Sequence, residues 1–163
     1  MNKDSKKKIT TKFNIVLYQP KIPPNTGNII RLCSNTGAKL HLIKPLGFEI
    51  NNKTLKRAGL DHYKNIVINQ HNSLTKCLDV IGKTNVYLIT KFGHTKYCEV
   101  NYKIGDTLVF GSEIDGLPKL LLKKTNNNQK VYIPMLKNSR SLNLSNAVSI
   151  CIFEAWKQNE FKT

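Results

Sequence analysis

The polar and apolar positions of this chain fall into short runs with two different periods. Phe13–Tyr18 (FNIVLY), Val86–Thr90 (VYLIT) and Thr107–Phe110 (TLVF) are brief and nearly all apolar, and Ala38–Lys44 (AKLHLIK) alternates. Such runs predict strands, the continuous ones suited to a sheet buried on both faces. Shorter strands are expected near Ile66–Ile68 and over Val131–Met135 (VYIPM). Between them the period changes to that of a helix. Asn25 is expected to cap a helix running to about Thr36, where Gly37 stops it, with the preceding prolines holding an extended approach. Further helices are predicted at Thr54–Ala58, Ser73–Ile81, Lys119–Lys124 and Asn143–Gln158. Strand alternating with helix implies an α/β domain with a mostly parallel sheet flanked by helices.

The last helix carries two apolar stripes. Leu144, Ala147, Val148, Cys151, Ile152, Ala155 and Trp156 form one, with Ile150 and Phe153 beside it. A helix so widely apolar is buried on two sides. In a chain of 163 residues the second side is expected to be another copy of the chain, giving a homodimer, unless the helix runs through the middle of one subunit.

Length predicts one domain, residues 13–163, preceded by a disordered basic tail over residues 1–12. That tail holds Lys3, Lys6, Lys7, Lys8 and Lys12 without an apolar core segment, unlike a secretory signal. No apolar run is long enough for a membrane span. The four cysteines form no CxxC pair, so reduced thiols in the cytoplasm are expected. His94-x-x-x-Cys98 is half of a metal-site spacing without a second half, and no metal is expected. Net charge is +16, from 26 Lys and Arg against 10 Asp and Glu, which favours a polyanionic partner such as nucleic acid; lysine over-use throughout the chain is the bland alternative.

In parallel α/β sheets ligands sit beyond the carboxyl ends of the strands. Three such loops carry chemistry. In Pro23-Pro24-Asn25-Thr26-Gly27-Asn28-Ile29-Ile30-Arg31, residues Asn28, Arg31 and Asn35 share a polar helix face suited to a phosphate or ribose, or to plain solvent. In Leu108-Val109-Phe110-Gly111-Ser112-Glu113-Ile114-Asp115-Gly116-Leu117-Pro118, a glycine at the strand end admits close approach of a ligand, and Glu113 is a candidate carboxylate. Neither GxGxxG nor GxxxxGK[ST] is present, which argues against a nicotinamide dehydrogenase or an NTPase. The third runs from Ile133 through Ser141 and Leu142 to Asn143 and Asn146, a dense set of hydrogen-bonding groups before the apolar helix.

PNTGNIIR, LVFGSEIDGLP and IPM…RSLNLSNAVSICIFEAW together resemble the three motifs of the SPOUT class of RNA methyltransferases, in the same order and over Phe13 to about Gln158. The chain is most similar to the minimal tRNA wobble-nucleotide 2′-O-methyltransferases, and Arg57-Ala58-Gly59-Leu60-Asp61 also resembles that subgroup. It departs at Asp61-His62-Tyr63, where Asp-Tyr is the subgroup's pattern, and at Phe153, where some members have Tyr. The resemblance implies a C-terminal trefoil knot, S-adenosylmethionine as methyl donor, and a homodimer acting on the anticodon loop of tRNA. It implies a cofactor pocket at Ile89, Gly111, Ile133, Ser141 and Leu142, and catalytic positions at Asn28, Arg31, Glu113, Asn143 and Asn146.

Guanidinium groups keep their charge in proteins, so Arg31 is expected to orient the 2′-oxygen, with a true base role as the alternative, and Asn28 and Glu113 are expected to hold it. Asn143 and Asn146 are expected to support the cofactor loop. Lys21, Lys44, Lys53, Lys56, Arg57 and the tail lysines are expected to grip RNA phosphates. The competing expectations are a methyltransferase of the same class acting on another RNA, and a non-catalytic RNA-binding protein of the same fold.

Overall fold

The computed structural model of the chain describes residues 13–50 and 68–162. The expected basic tail, the expected helix at Thr54–Ala58, the Arg57–Asp61 segment and Lys53, Lys56 and Arg57 lie outside them.

The apolar runs become a seven-stranded sheet in which every pairing is parallel. In chain order the elements are β1 (Asn14–Tyr18), α1 (Pro23–Thr36), β2 (Lys39–Ile43), β3 (Ile68–His71), α2 (Leu74–Ile81), β4 (Val86–Ile89), β5 (Thr95–Lys96), β6 (Thr107–Phe110), α3 (Lys119–Lys124), β7 (Lys130–Tyr132) and α4 (Leu144–Gln158). Across the sheet the strands run β3-β2-β1-β6-β4-β7-β5. The chain thus builds outward from β1 on one side, then crosses to build the other. This reversal places β1 beside β6, and a crevice opens beyond the carboxyl ends of strands at such a switch point.

Successive strand residues point to opposite faces. Ile15, Leu17, Leu40, Leu42, Leu108 and Phe110 pack with α1 and α4, through Ile29, Cys33, Val148, Cys151 and Ile152. Val16, Ile43, Leu88 and Val109 pack on the other face with Cys77 of α2, Leu117 before α3, and Leu121 and Leu122 within it. The result is helix, sheet, helix. Burial pushes the Cys33 and Cys151 thiols up to about 12, so both stay protonated and serve as packing groups.

Several boundaries differ from the expected ones. Helix α1 begins at Pro23, with both prolines inside its first turn, where the missing N–H costs nothing. Its cap is Ile22, which supplies no side-chain bond, so Asn25 is released from capping. Strand β3 covers Ile68–His71, and residues 66–67 of the expected strand lie outside the described residues, while β7 stops at Tyr132, before Pro134, which has no N–H to donate. Ser73 and Asn143 are N-caps, accepting from Lys76 N–H and Ser145 N–H, rather than first helical residues.

Strand β5 was not legible in the pattern, because only two of its residues pair and their partner lies far along the chain. It forms where residues 90–94 cross β7. Thr90 N–H donates to Val131 C=O and His94 N–H to Lys130 C=O, at 2.9 and 2.8 Å. Gly93 lies on the Val131–Tyr132 peptide: a Cβ there would stand 2.5 Å from the Val131 carbonyl carbon. Strand β7, made late, therefore sits between β4 and β5 with their connection drawn across it.

Candidate active site

The carboxyl ends of β1 and β6 meet in register, Leu17 opposite Phe110, so the loops that follow are neighbours. Glu113, from the β6 loop, reaches across to the start of α1. Its Oε2 accepts from Lys21 N–H at 2.8 Å; its Oε1 accepts from Ile22 N–H at 3.2 Å and from Asn25 Nδ2 at 3.0 Å. A carboxylate at the N-terminal end of a helix meets unsatisfied N–H groups and the positive end of the helix dipole. The chain's own acid thus occupies that position.

Asn25 is only 6% exposed and extends the chain of bonds. Its Oδ1 accepts from Asn143 Nδ2 at 2.9 Å, while Asn143 Oδ1 accepts from Ser145 N–H at 2.9 Å and from Ser145 Oγ at 2.7 Å. One network, Glu113–Asn25–Asn143–Ser145, therefore ties together all three sequence segments and the first turns of α1 and α4. Sequence reasoning assigned Asn25 to a cap and missed it as the central bridge. The available signal was its place after two prolines, which can themselves begin a helix.

One expectation changes accordingly. Glu113 does not hold Arg31: its carboxylate bonds to the start of α1, because those N–H groups lie directly opposite the β6 loop. At Gly111 the Cβ direction is taken up by its own loop. A Cβ there would stand 2.2 Å from the Gly116 carbonyl carbon and 2.4 Å from Leu117 N, so the glycine is needed for its own loop to fold back. That return is closed by reciprocal bonds between Ser112 and Gly116, at 3.2 and 3.0 Å, and by Asp115 N–H to Ser112 Oγ at 3.0 Å.

Asn28, Arg31 and Asn35 share the exposed face of α1, opposite buried Ile29, Cys33 and Thr36, as their spacing predicts. Asn146 is exposed on the first turn of α4. Ile89 ends β4 and Gly111 directly follows β6, with Ile89 in register with Phe110 and with Val131, and Ile133 follows β7. Ile133 packs against the core beneath. Ser141 and Leu142 lie apart from this trio along the chain, exposed on the approach to α4. The loop between includes a turn from Ser139 N–H to Leu136 C=O at 3.1 Å, with Asn138 in the left-handed region at φ 68°. Met135, Leu136 and Leu142 expose apolar side chains there.

The chain also brings together His41 of β2, His71 of β3 and Cys77 of α2, which no sequence spacing indicated. His41 Nδ1 and His71 Nε2 are 3.0 Å apart, and the rings stack at 5.3 Å. Either ring can be the donor in that contact, according to its tautomer. Their ligand atoms and the Cys77 sulfur lie within 4.8 Å of one another.

Residues 12–153 match the model of the SpoU rRNA Methylase family. The chain belongs to the SpoU methylase family. A tRNA (cytidine(34)-2′-O)-methyltransferase of Escherichia coli (strain K12) is 48% identical over 146 residues, covering 90% of this chain and 93% of that one. The enzyme of that name from Methylovorus glucosotrophus is 45% identical over 149 residues, covering 91% and 97%. Among solved structures, an RNA methyltransferase of Bacillus anthracis superposes with a TM-score of 0.85 at 40% identity, over 91% of this chain and 95% of that one. Another, described for 2-OH methylation of C/U34 on tRNA, superposes at 0.84 with 37% identity, over 92% and 97%. In this SpoU chain the matched span contains the whole Glu113–Asn25–Asn143 network.

Proposed function

We propose that this SpoU-family chain methylates the ribose 2′-hydroxyl of the tRNA wobble nucleotide, cytidine or uridine, with S-adenosylmethionine as donor. The observation that carries the proposal is the Glu113–Asn25–Asn143 network, which joins three distant segments at the sheet's switch point. Relatives spanning nearly the same length bear the name of that reaction. The donor fits the chemistry of the neighbouring strand ends. Ile89, Ile133 and Leu142 offer apolar surface for an adenine, and Ser141 and the loop backbone offer hydrogen-bonding groups. An rRNA methyltransferase of Sinorhizobium meliloti with bound AdoMet superposes at 0.77 with 26% identity, over 90% of this chain and 56% of that one.

When bound, S-adenosylmethionine supplies an electrophilic methyl group on sulfur. The protein's task is to align the ribose and ease loss of the hydroxyl proton. Arg31, exposed on α1, orients the 2′-oxygen and its phosphate and stabilises the charge that develops as the proton leaves. Asn28, one turn earlier, shares that face. Glu113, Asn25 and Asn143 act as positioning residues that fix α1 against α4, and Asn146 faces outward from the same end. The chemistry needs no metal in this scheme.

The same reading makes residues 13–163 one methyltransferase domain in a cytoplasmic homodimer. Phe153 is 44% and Phe161 51% exposed, and both rings contact Trp156, leaving an apolar strip along α4 for a second copy to cover. The trefoil knot belongs to the same reading. No helix among the described residues is long and apolar enough to cross a membrane. The test is incubation with radiolabelled donor and bulk tRNA from a strain lacking the gene, followed by nuclease mapping. Label in the ribose of the anticodon's first nucleotide is expected. Label elsewhere, or none, overturns the proposal.

A further inference from the structure

Beyond β2 and β3 lies a cavity of about 610 Å³ lined by Lys44, Leu46, Phe48, Glu49, Gln70 and Asn72 among others. Its walls are pinned. Lys44 N–H donates to His71 C=O and Gly47 N–H to Pro20 C=O, both at 2.9 Å. Gly47 lies so close to the next loop that a Cβ would stand 2.8 Å from Lys21 Cα. Lys21 is the residue whose N–H Glu113 accepts, so the cavity is built against the same β1–α1 loop as the candidate active site.

We propose that this cavity holds an unpaired nucleobase of the RNA loop, next to the nucleotide whose ribose is methylated. The proposal rests on the RNA substrate proposed above. A base needs a flat apolar contact, in-plane donors and acceptors, and a cation near its phosphate. Phe48 and Leu46 supply the first and Lys44 the last. Among the described residues the side-chain amides of Gln70 and Asn72 have no hydrogen-bond partner, which leaves both a donor and an acceptor on each. Glu49 places a negative charge in the lining, which disfavours a phosphate deep in the cavity. A +16 chain brings the polyanion to this edge. A free nucleotide shares this chemistry, and so does the nucleoside half of the methyl donor, so the experiment separates the three.

The double variant Gln70→Ala/Asn72→Ala removes the amides at partly exposed positions, where folding is least at risk. Losing two hydrogen bonds to a base is expected to raise KM for tRNA about 10-fold with kcat little changed. Affinity for S-adenosylmethionine, measured by titration calorimetry, is expected to stay the same. Photo-crosslinking of 4-thiouridine-substituted tRNA to the wild-type protein is expected to label peptides spanning residues 44–50 or 70–72, and excess cytidine monophosphate to compete poorly. An unchanged KM with crosslinks elsewhere overturns the proposal, as does loss of donor affinity or tight binding of the free nucleotide. Crosslinks at these peptides without any methyl transfer would keep the cavity assignment and overturn the proposed reaction instead.

Discussion

Asn143 donates its side-chain amide to the Asn25 carbonyl oxygen at 2.9 Å, across 118 positions of the chain. Asn25 in turn donates to Glu113, so a single buried amide reads both neighbours and sets the angle at which α1 meets α4. Replacing Asn25 by Ala leaves Glu113 and Asn143 each short of a partner in a partly buried setting. The expected loss is about 1–3 kcal/mol, measured by urea unfolding, with methyl transfer reduced. Asn25→Asp is expected to do worse at neutral pH, since it sets a second carboxylate against Glu113. Wild-type stability in either variant would show that the network is ornamental.

Arg31 is assigned to the transition state rather than to donor binding. Arg31→Ala is expected to lower methyl transfer at least about 100-fold while donor affinity and melting temperature hold. Titration calorimetry alongside single-turnover assays separates the two effects. A joint loss of donor binding and transfer counts against this division of labour.

The imidazole pair gives the fold an acid-sensitive point. Burial, then the neighbouring His71 and Lys39, pushes His41 down to about 4 from its ordinary 6.5. Between those values the unfolded chain takes up a proton that the folded chain refuses. This contribution to stability is therefore complete above about pH 6.5 and is lost as pH falls toward 4. The melting temperature is expected to drop across that window, and His41→Gln to flatten the drop. An equally steep acid limb in the variant assigns it to other groups.

Gly93 and Gly111 are expected to tolerate no side chain. In each a Cβ would meet backbone, at 2.5 Å for Gly93 and 2.2 Å for Gly111, and backbone cannot rotate aside. Alanine at either position is expected to cost about 1–3 kcal/mol or more, read as a lowered urea midpoint. Gly82→Ala is the control: nothing lies within 4 Å there, although its φ of 88° carries some strain.

The exposed strip of α4 makes the oligomer testable. Phe153→Glu places a charge on that strip and is expected to shift the protein from dimer to monomer in sedimentation velocity. Helix content by circular dichroism is expected to be retained. A wild-type protein that sediments as a monomer rules out the dimer.

What the sequence determined by itself was local: the strands Asn14–Tyr18, Lys39–Ile43 and Thr107–Phe110, the helices α2 and α3, and the polar face carrying Asn28 and Arg31. Hydrophobic period and capping residues act within a few positions, so a linear pattern records them. The three motifs also identified the class. The order β3-β2-β1-β6-β4-β7-β5, the strand β5 and the bridge through Asn25 were decided by the tertiary structure alone. So were the contact between His41 and His71 and the close approaches at Gly93 and Gly111. Each depends on which distant segments become neighbours, and a hydrogen bond or a steric clash is set by distance in space rather than by spacing along the chain.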